Sequence, residues 1–326
     1  MRGVCVSVMP SSRGEVEKEN PMVSDAQGSA TARGGIVITG ASTGIGRECA
    51  FHFDRLGYRV FASVRKASDG EALAKTASPR LTPVIIDVTD ARTITEAAAQ
   101  VEQALGDAPL VGLVNNAGVG IGGPVEFLQA SELRRQMEVN LIGPVLVTQA
   151  FMPMLRRSRG RIVVISSVGG KVATPLLGPY CASKFALEGL CDSMRAELKP
   201  FGISVSIVEP GGVKTAMVDK ARSAADDALR SLPPEGVRYY GTQIEMLRGL
   251  IDSQEQAAVT ADVVVKVVEH ALTADRPRTR YLVGRDAKLM ALFHWLLPDR
   301  AFDGLLAMMM RRLSSTKASA TASAKA

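Results

Sequence analysis

Cysteine and histidine are scarce in this chain of 326 residues. The four cysteines, at positions 5, 49, 181 and 191, form no Cys-x-x-Cys pair, and the histidines are His52, His270 and His294. That supply excludes a disulfide framework and a structural zinc site, so no metal is expected. The cysteines read as buried thiols in a reducing compartment. Unbroken apolar runs are short as well. Leu289 to Leu297 has nine residues and includes His294, against the roughly 18 needed to cross a bilayer. Val4 to Met9 is too short for a signal peptide, and Glu15, Glu17 and Glu19 behind it oppose a mitochondrial presequence. A cytoplasmic location is the resulting expectation. Excess charge is missing from the body: residues 34–275 carry 25 basic and 26 acidic side chains, so nucleic acid is not an expected partner. The formal net charge of +6 gathers at the C-terminal end, where residues 276–326 hold ten basic and three acidic side chains.

Hydrophobic residues are 46% and charged residues 22%, enough for a large core. Residues 1–33 read as a mobile extension before that core. A β-branched apolar run at 35–39 is followed by a helical pattern at 44–56 and a second strand at 58–64. The rhythm repeats with strands at 81–86, 110–115, 161–166 and 203–208 and helices at 90–105, 130–157 and 179–199. Alternation of apolar strands with helices predicts α/β, a Rossmann-type doubly wound parallel sheet in a single domain at 34–285. The rhythm breaks at 211–258, after a strand's C-terminal end, where such a sheet builds its ligand site. It resumes with a helix at 260–273 and a strand at 280–283.

Thr39-Gly40-Ala41-Ser42-Thr43-Gly44-Ile45-Gly46 joins the first strand to the first helix. Glycines allow close backbone approach, and the helix offers unpaired N–H groups to a pyrophosphate. Gly40 to Gly44 also fits the G-x-S-x-G elbow of hydrolases, with His270 and His294 downstream, but that elbow follows a mid-sheet strand. No Gly-Lys-Ser/Thr follows, which excludes a P-loop.

Further along stand Asn115-Asn116-Ala117-Gly118, Asn140, Ser167 thirteen residues before Tyr180, Tyr180-x-x-x-Lys184, and Pro210-Gly211-x-x-x-Thr215. With the glycine turn, these motifs resemble the short-chain dehydrogenase/reductase family over about 34–285. The run from Tyr180 to Leu190 is similar to the branch containing 17β-hydroxysteroid dehydrogenase type 1 and some retinol dehydrogenases. Tyr180 and Lys184 share a helix face, and an ammonium beside a phenol lowers the phenol's pKa from about 10. Tyr180 can then act as general acid or base, with Ser167 holding the substrate oxygen. The resemblance implies catalytic Asn140, Ser167, Tyr180 and Lys184, with Lys184 also holding the nicotinamide ribose and Asn140 supporting a water. It further implies cofactor contacts from Gly40, Ser42, Thr43, Gly44, Ile45 and Gly46, from Asp87 and Val88, from Asn116, Ala117 and Gly118, and from Pro210, Gly211, Val213 and Thr215.

The second strand ends Val64-Arg65-Lys66, with no acid to hold ribose hydroxyls. Arg65 suits a phosphate, so NADP(H) is preferred, while NAD(H) stays open. The insertion at 211–258 offers Met217, Leu229, Leu232, Tyr239, Tyr240, Ile244, Met246 and Leu247 as a lipophilic lid. The expected reaction interconverts a hydrophobic alcohol and its carbonyl, steroid-, retinoid- or lipid-like. The alternatives are a 3-oxoacyl-thioester reductase and a non-catalytic NADP(H)-binding regulator. The family's long helices imply a homodimer or homotetramer, with Leu187, Leu190 and Met194 as outward candidates. Residues 286–313 read as an amphipathic helical extension. Leu289, Met290, Leu292, Phe293, Leu296 and Leu297 form one stripe, and Phe302, Leu305, Leu306, Met309 and Leu313 a second. Both could meet an anionic membrane, a second subunit or the protein's own body. Residues 314–326 read as a disordered tail.

Overall fold

The computed structural model describes residues 33–323. The expected N-terminal extension, apart from Arg33, lies outside the described residues, as do the last three of the expected tail. Seven strands form one sheet: β1 (Arg33–Ile38), β2 (Tyr58–Val64), β3 (Leu81–Ile85), β4 (Leu110–Asn115), β5 (Arg161–Ile165), β6 (Ser204–Pro210) and β7 (Arg280–Val283). Their order is β3-β2-β1-β4-β5-β6-β7, and all neighbours are parallel. The order reverses direction between β1 and β4, the switch point at which such sheets open a crevice.

Eleven helices follow among the described residues: α1 (Gly44–Arg55), α2 (Ala67–Ala74), α3 (Ala91–Leu105), α4 (Ala130–Met137), α5 (Gly143–Ser158), α6 (Gly178–Leu198), α7 (Ala216–Ser231), α8 (Pro234–Ala257), α9 (Ala261–Thr273), α10 (Arg285–Leu296) and α11 (Asp299–Ser323). Strand side chains alternate between two cores, as a pleat demands. Val37 and Leu113 join Val101, Phe151 and Leu187 of α3, α5 and α6 on one face. Ile36, Ile38 and Val114 join Phe53 and Val268 of α1 and α9 on the other. Cys49, Cys181 and Cys191 are buried free thiols.

A π-turn at Glu138–Ile142 joins α4 to α5. The whole stretch Ala130–Ser158 has a window of mean hydropathy 1.2, long and apolar enough to cross a membrane. Glu138, Asn140, Thr148 and Gln149 interrupt the run, and Val147, Phe151 and Leu155 are fully buried in the core. Membrane-like composition here follows from burial beside a sheet covered on both faces.

Three elements depart from the sequence reading. α2 was not expected: its eight residues include Gly70, and only Gly70 and Leu73 are buried, so periodicity had little to register. The insertion at 211–258 is largely two helices, α7 and α8, whose polar composition hides the pattern. α11 continues to Ser323, into the segment read as an unstructured tail. Ala and Ser can extend a helix at small propensity cost once earlier turns are formed.

One ion network ties β6, β7 and α6 together. Glu209 is fully buried, and Lys171 Nζ and Arg280 Nε each lie 3.2 Å from its Oε1. Arg280 Nε also donates to Glu188 Oε2 at 3.1 Å, and its other end reaches Asp192 at 2.7 Å. Burial and the neighbouring Glu188 push the Glu209 carboxyl up to about 7. A carboxyl raised in the fold stabilises fully below its ordinary 4.5, and that contribution is lost as pH rises through about 7. Glu209→Gln has no proton to lose. Its melting temperature relative to wild type should therefore improve from about pH 4.5 to 8. Parallel melting curves for both proteins across that window would contradict this.

Candidate active site

The carboxyl ends of β1, β4, β5 and β6 face one cleft. Two adjoining cavities, of about 340 and 280 Å³, share Ile45, Asn116, Gly118, Val119, Gly120 and Thr215 in their walls. The larger runs along the glycine turn, and the smaller ends at Tyr180.

The turn after β1 is shaped by close approach. Gly40 and Gly44 have φ of 66° and 59°. A Cβ on Gly46 would lie 2.4 Å from Asn116 Nδ2 and 2.5 Å from the Gly40 carbonyl. That space is taken by hydrogen bonds. Asn116 Nδ2 donates to the carbonyls of Thr39 and Gly40, at 2.8 and 3.1 Å. Thr39 Oγ1 accepts from the Asn116 and Ala117 backbone N–H groups. Asn116 and Ala117 thus clip the end of β4 to the turn. Beyond them, no side chain caps the start of α1 and its first turn holds no acid. Ser42, Thr43, Gly44 and Ile45 therefore line a cavity beside an open helix N-terminus, which suits a phosphate-bearing group.

At the far end of the larger cavity stand Val64, Arg65, Asp87 and Val88. Hydrogen bonds from Thr89, backbone and hydroxyl, hold the Asp87 carboxyl below its usual range, and the Arg65 charge adds to this. Val88 is buried against Gly143, where a Cβ would come within 2.8 Å of it. Arg135 of α4 faces the same cavity. The sequence reading missed Arg135, because nothing marks which residue of an exposed helix turns towards a cleft.

The smaller cavity brings Ser167, Tyr180, Lys184 and Asn140 together. Ser167 follows β5 at the start of the Val168–Gly170 turn, and its hydroxyl accepts from the Gly169 N–H at 3.1 Å. Lys184 is buried, and its Nζ donates to the Ile165 carbonyl at 2.8 Å. It lies 5.9 Å from the centre of the Tyr180 ring. Burial lowers Lys184 to about 8, with Cys191 and Glu188 acting the other way. Tyr180 differs from expectation. Its pKa is raised, because desolvation of the phenol outweighs the hydrogen bond from Ser167, and Lys184 is not among the causes. The ammonium is hydrogen-bonded to the Ile165 carbonyl.

Asn140 sits on the π-turn and grips the chain after β4. Its Oδ1 accepts from Val119 N–H at 2.9 Å, and its Nδ2 donates to Val119 O and Ser183 Oγ. Gln136, one turn earlier, does the same for Ile121 and Val119. Pro210, Gly211, Val213 and Thr215 form the wall of the smaller cavity after β6. The structure thus gathers the site residues inferred from the sequence around one cleft, except Gly46, which lines neither cavity and packs beneath the turn.

The outer wall is apolar: Leu176, Leu177, Val218, Ile244, Leu247 and Ile251. Leu176 has φ of 66°, and its carbonyl accepts from Gly123 N–H at 2.7 Å, locking two loops over the mouth. Of the expected lid residues, Ile244 and Leu247 line the cavity, while Leu229, Leu232 and Tyr240 pack behind them. Tyr239 is exposed, and the side chain of Met217 lies outside the described residues.

The family model described as short chain dehydrogenase matches residues 35–226. Retinol dehydrogenase 5 of Mus musculus is 40% identical over 285 residues, covering 85% of this chain and 89% of its own. A short-chain dehydrogenase from Streptomyces avermitilis superposes with TM-score 0.68 at 26% identity, covering 89% of this chain and 98% of its own. One from Burkholderia cenocepacia, solved in complex with NADP, gives TM-score 0.63 at 27% identity, over 85% and 97%.

Proposed function

The chain belongs to the short-chain dehydrogenase family and is an oxidoreductase acting on CH–OH groups with a nicotinamide nucleotide; on that premise we propose that it uses NADP(H) to interconvert a hydrophobic alcohol and its carbonyl. The observation that carries the reading is the desolvated Tyr180 phenol beside Ser167, where a dinucleotide-sized cleft meets an apolar mouth. The bound nicotinamide supplies or accepts the hydride. Tyr180, held as a neutral phenol, gives its proton to the carbonyl oxygen during reduction, and Ser167 donates a hydrogen bond to that oxygen as charge develops. Lys184, whose Nζ is fixed by the Ile165 carbonyl, lines the smaller cavity and would hold the nicotinamide ribose there. Asn140 holds the Val119 segment, which closes the cleft opposite Tyr180.

Preference for NADP(H) is supported by Arg65 and Arg135 on the cavity and by Val64 where an acid would bind ribose hydroxyls. A lipophilic substrate, retinoid- or steroid-like, is supported by the apolar mouth and by the name of the 40% identical relative. A 3-oxoacyl-thioester reductase would need a basic surface for its carrier, and the body is neutral. A non-catalytic regulator leaves the Tyr180 and Ser167 arrangement without a use. A homodimer or homotetramer surface is left with exposed Leu190 and Phe185, because Leu187 is in the core and Met194 packs against it.

The extension supports a second surface. α11 packs against α8, and its Phe302 and Met310 are buried, Phe302 against the His294 ring of α10. The stripe on α10 stays outside: Leu289, Leu292, Phe293 and Leu296 are exposed, and Trp295 is 80% accessible. Arg285 and Lys288 stand on the same helix, within the net-positive C-terminal end. This suits peripheral contact with an anionic membrane, from which a lipophilic substrate could enter.

Tyr180→Phe should lower kcat for reduction of lipophilic carbonyls by about 10²–10⁴-fold, with NADPH binding retained. Because Tyr180 is held protonated, alcohol oxidation by the wild type, which needs the phenolate, should rise with pH, while carbonyl reduction, which needs the phenol, stays level and then falls. A carbonyl and alcohol panel without turnover, or full activity in the variant, would refute the reading. Val64→Asp with Arg65→Ala should move the kcat/KM ratio at least about tenfold towards NAD(H), the scale of one charged contact. An unchanged ratio would remove the NADP(H) assignment. Trp295→Ser with Leu292→Ser should reduce co-sedimentation with anionic liposomes at low salt and spare turnover of a soluble carbonyl. Equal bound fractions would remove the membrane contact.

A further inference from the structure

α10 begins at the active site. It starts directly after β7, and its second residue, Asp286, turns its carboxylate inward rather than to solvent. Asp286 Oδ2 accepts a hydrogen bond from the Gly212 N–H at 2.7 Å. The seat is made by two glycines. A Cβ on Gly211 would lie 2.1 Å from Asp286 Oδ2, and one on Gly284 would lie 2.3 Å from Oδ1. Gly284 also has φ of 103°, a conformation open to glycine at no steric cost. These glycines leave room for a carboxylate and for no side chain of their own.

The segment gripped in this way forms one wall of the smaller cavity: Pro210, Gly211, Gly212, Val213 and Thr215. Its backbone is strung between two elements. Gly211 N–H donates to Val283 O at 2.9 Å, and Val259 N–H donates to Gly212 O at 3.0 Å. Asp286 adds a charge-assisted bond to the peptide between them, stronger than its neutral neighbours. The same helix packs against the Val168–Gly170 turn, which carries Ser167 at its start. α10 therefore touches both sides of the cavity that holds Tyr180.

We infer that Asp286 is a positioning residue, whose carboxylate fixes the Gly211–Gly212 peptide and so sets the wall against which the nicotinamide half of the cofactor lies. The inference rests on the dinucleotide reading of the cleft. Ser42, Thr43 and Arg65 face the larger cavity and lie outside that wall, while Thr215 at its far end is shared by both cavities. Loss of the carboxylate frees one wall of the nicotinamide half and leaves the adenosine half as it was.

Two ligands separate those halves: NADPH, and 2′,5′-ADP, which has no nicotinamide. Binding of each to the full chain is measured by calorimetry. Asp286→Ala should weaken NADPH about tenfold, the scale of one lost hydrogen bond to a charged group, and leave 2′,5′-ADP within about twofold. Asp286→Asn keeps an acceptor oxygen and should recover most of the NADPH affinity. Gly211→Ala, whose Cβ displaces the carboxylate, should reproduce the split independently, which keeps the test decisive should Asp286→Ala fail to fold. Unchanged NADPH binding in the alanine variant overturns the inference, as does equal weakening of both ligands, the mark of a purely structural role. Wild type that binds neither ligand overturns the NADP(H) preference, and the same split is then read between NADH and 5′-AMP. Wild type that binds no nicotinamide dinucleotide overturns the dinucleotide reading, and the inference with it.

Discussion

A cation buried at the carboxyl end of a parallel sheet is the constraint around which the site is organised. Lys184 is nearly inaccessible, and its Nζ is held by the Ile165 carbonyl. An ammonium out of water is costly unless it is paired and hydrogen-bonded. Here the last residue of β5 supplies the acceptor, and Glu188, one helical turn on, supplies a negative charge. That arrangement fixes the rotation of α6 about its axis. With α6 fixed, Tyr180 must stand four residues back on the same face, over the Ser167 turn. A Cβ on Gly169 would lie 3.1 Å from the Tyr180 ring, so the turn packs directly beneath it.

The second constraint is backbone proximity at the switch point. β1 and β4 are neighbours, and their ends are held together by Thr39 and Asn116. Gly46 brings α1 down onto that junction, because any side chain would strike Asn116. The cleft is what remains between α1 and the chain after β4. Gln136 and Asn140, spaced one turn apart and entering the π-turn, hold that chain from the other side. A π-bulge often marks such a functional position, since the extra residue re-aims a side chain.

α7 and α8 roof the mouth with Ile244 and Leu247, and α11 braces α8 from outside. α10 runs between the two surfaces: Asp286 at its start grips the cofactor wall, and Trp295 near its end is open to solvent. One rigid helix therefore connects the interior of the cleft to the apolar exterior.

The glycine turn, Ser167, Tyr180-x-x-x-Lys184 and the strand rhythm were legible in the sequence because local spacing expresses them. Glycines mark close approach, an i,i+4 pair marks one helix face, and β-branched runs mark buried strands. Short or polar helices were not legible: α2 buries two residues, and α7 and α8 are rich in charged and polar side chains. What a residue's charge does was beyond the sequence too. Spacing placed Lys184 beside Tyr180, but burial of the phenol raises its pKa where that spacing predicts a fall, and the Lys184 ammonium is hydrogen-bonded to the Ile165 carbonyl. Asp286 stands alone in the sequence, 74 residues from Gly212, and only the β6–β7 pairing brings the two together. The sequence by itself determined the fold class and supplied the candidate side chains that the cleft brings together. The tertiary structure decided their protonation, their hydrogen-bond partners and the wall that Asp286 holds, because desolvation and long-range contact depend on neighbours that no local pattern records.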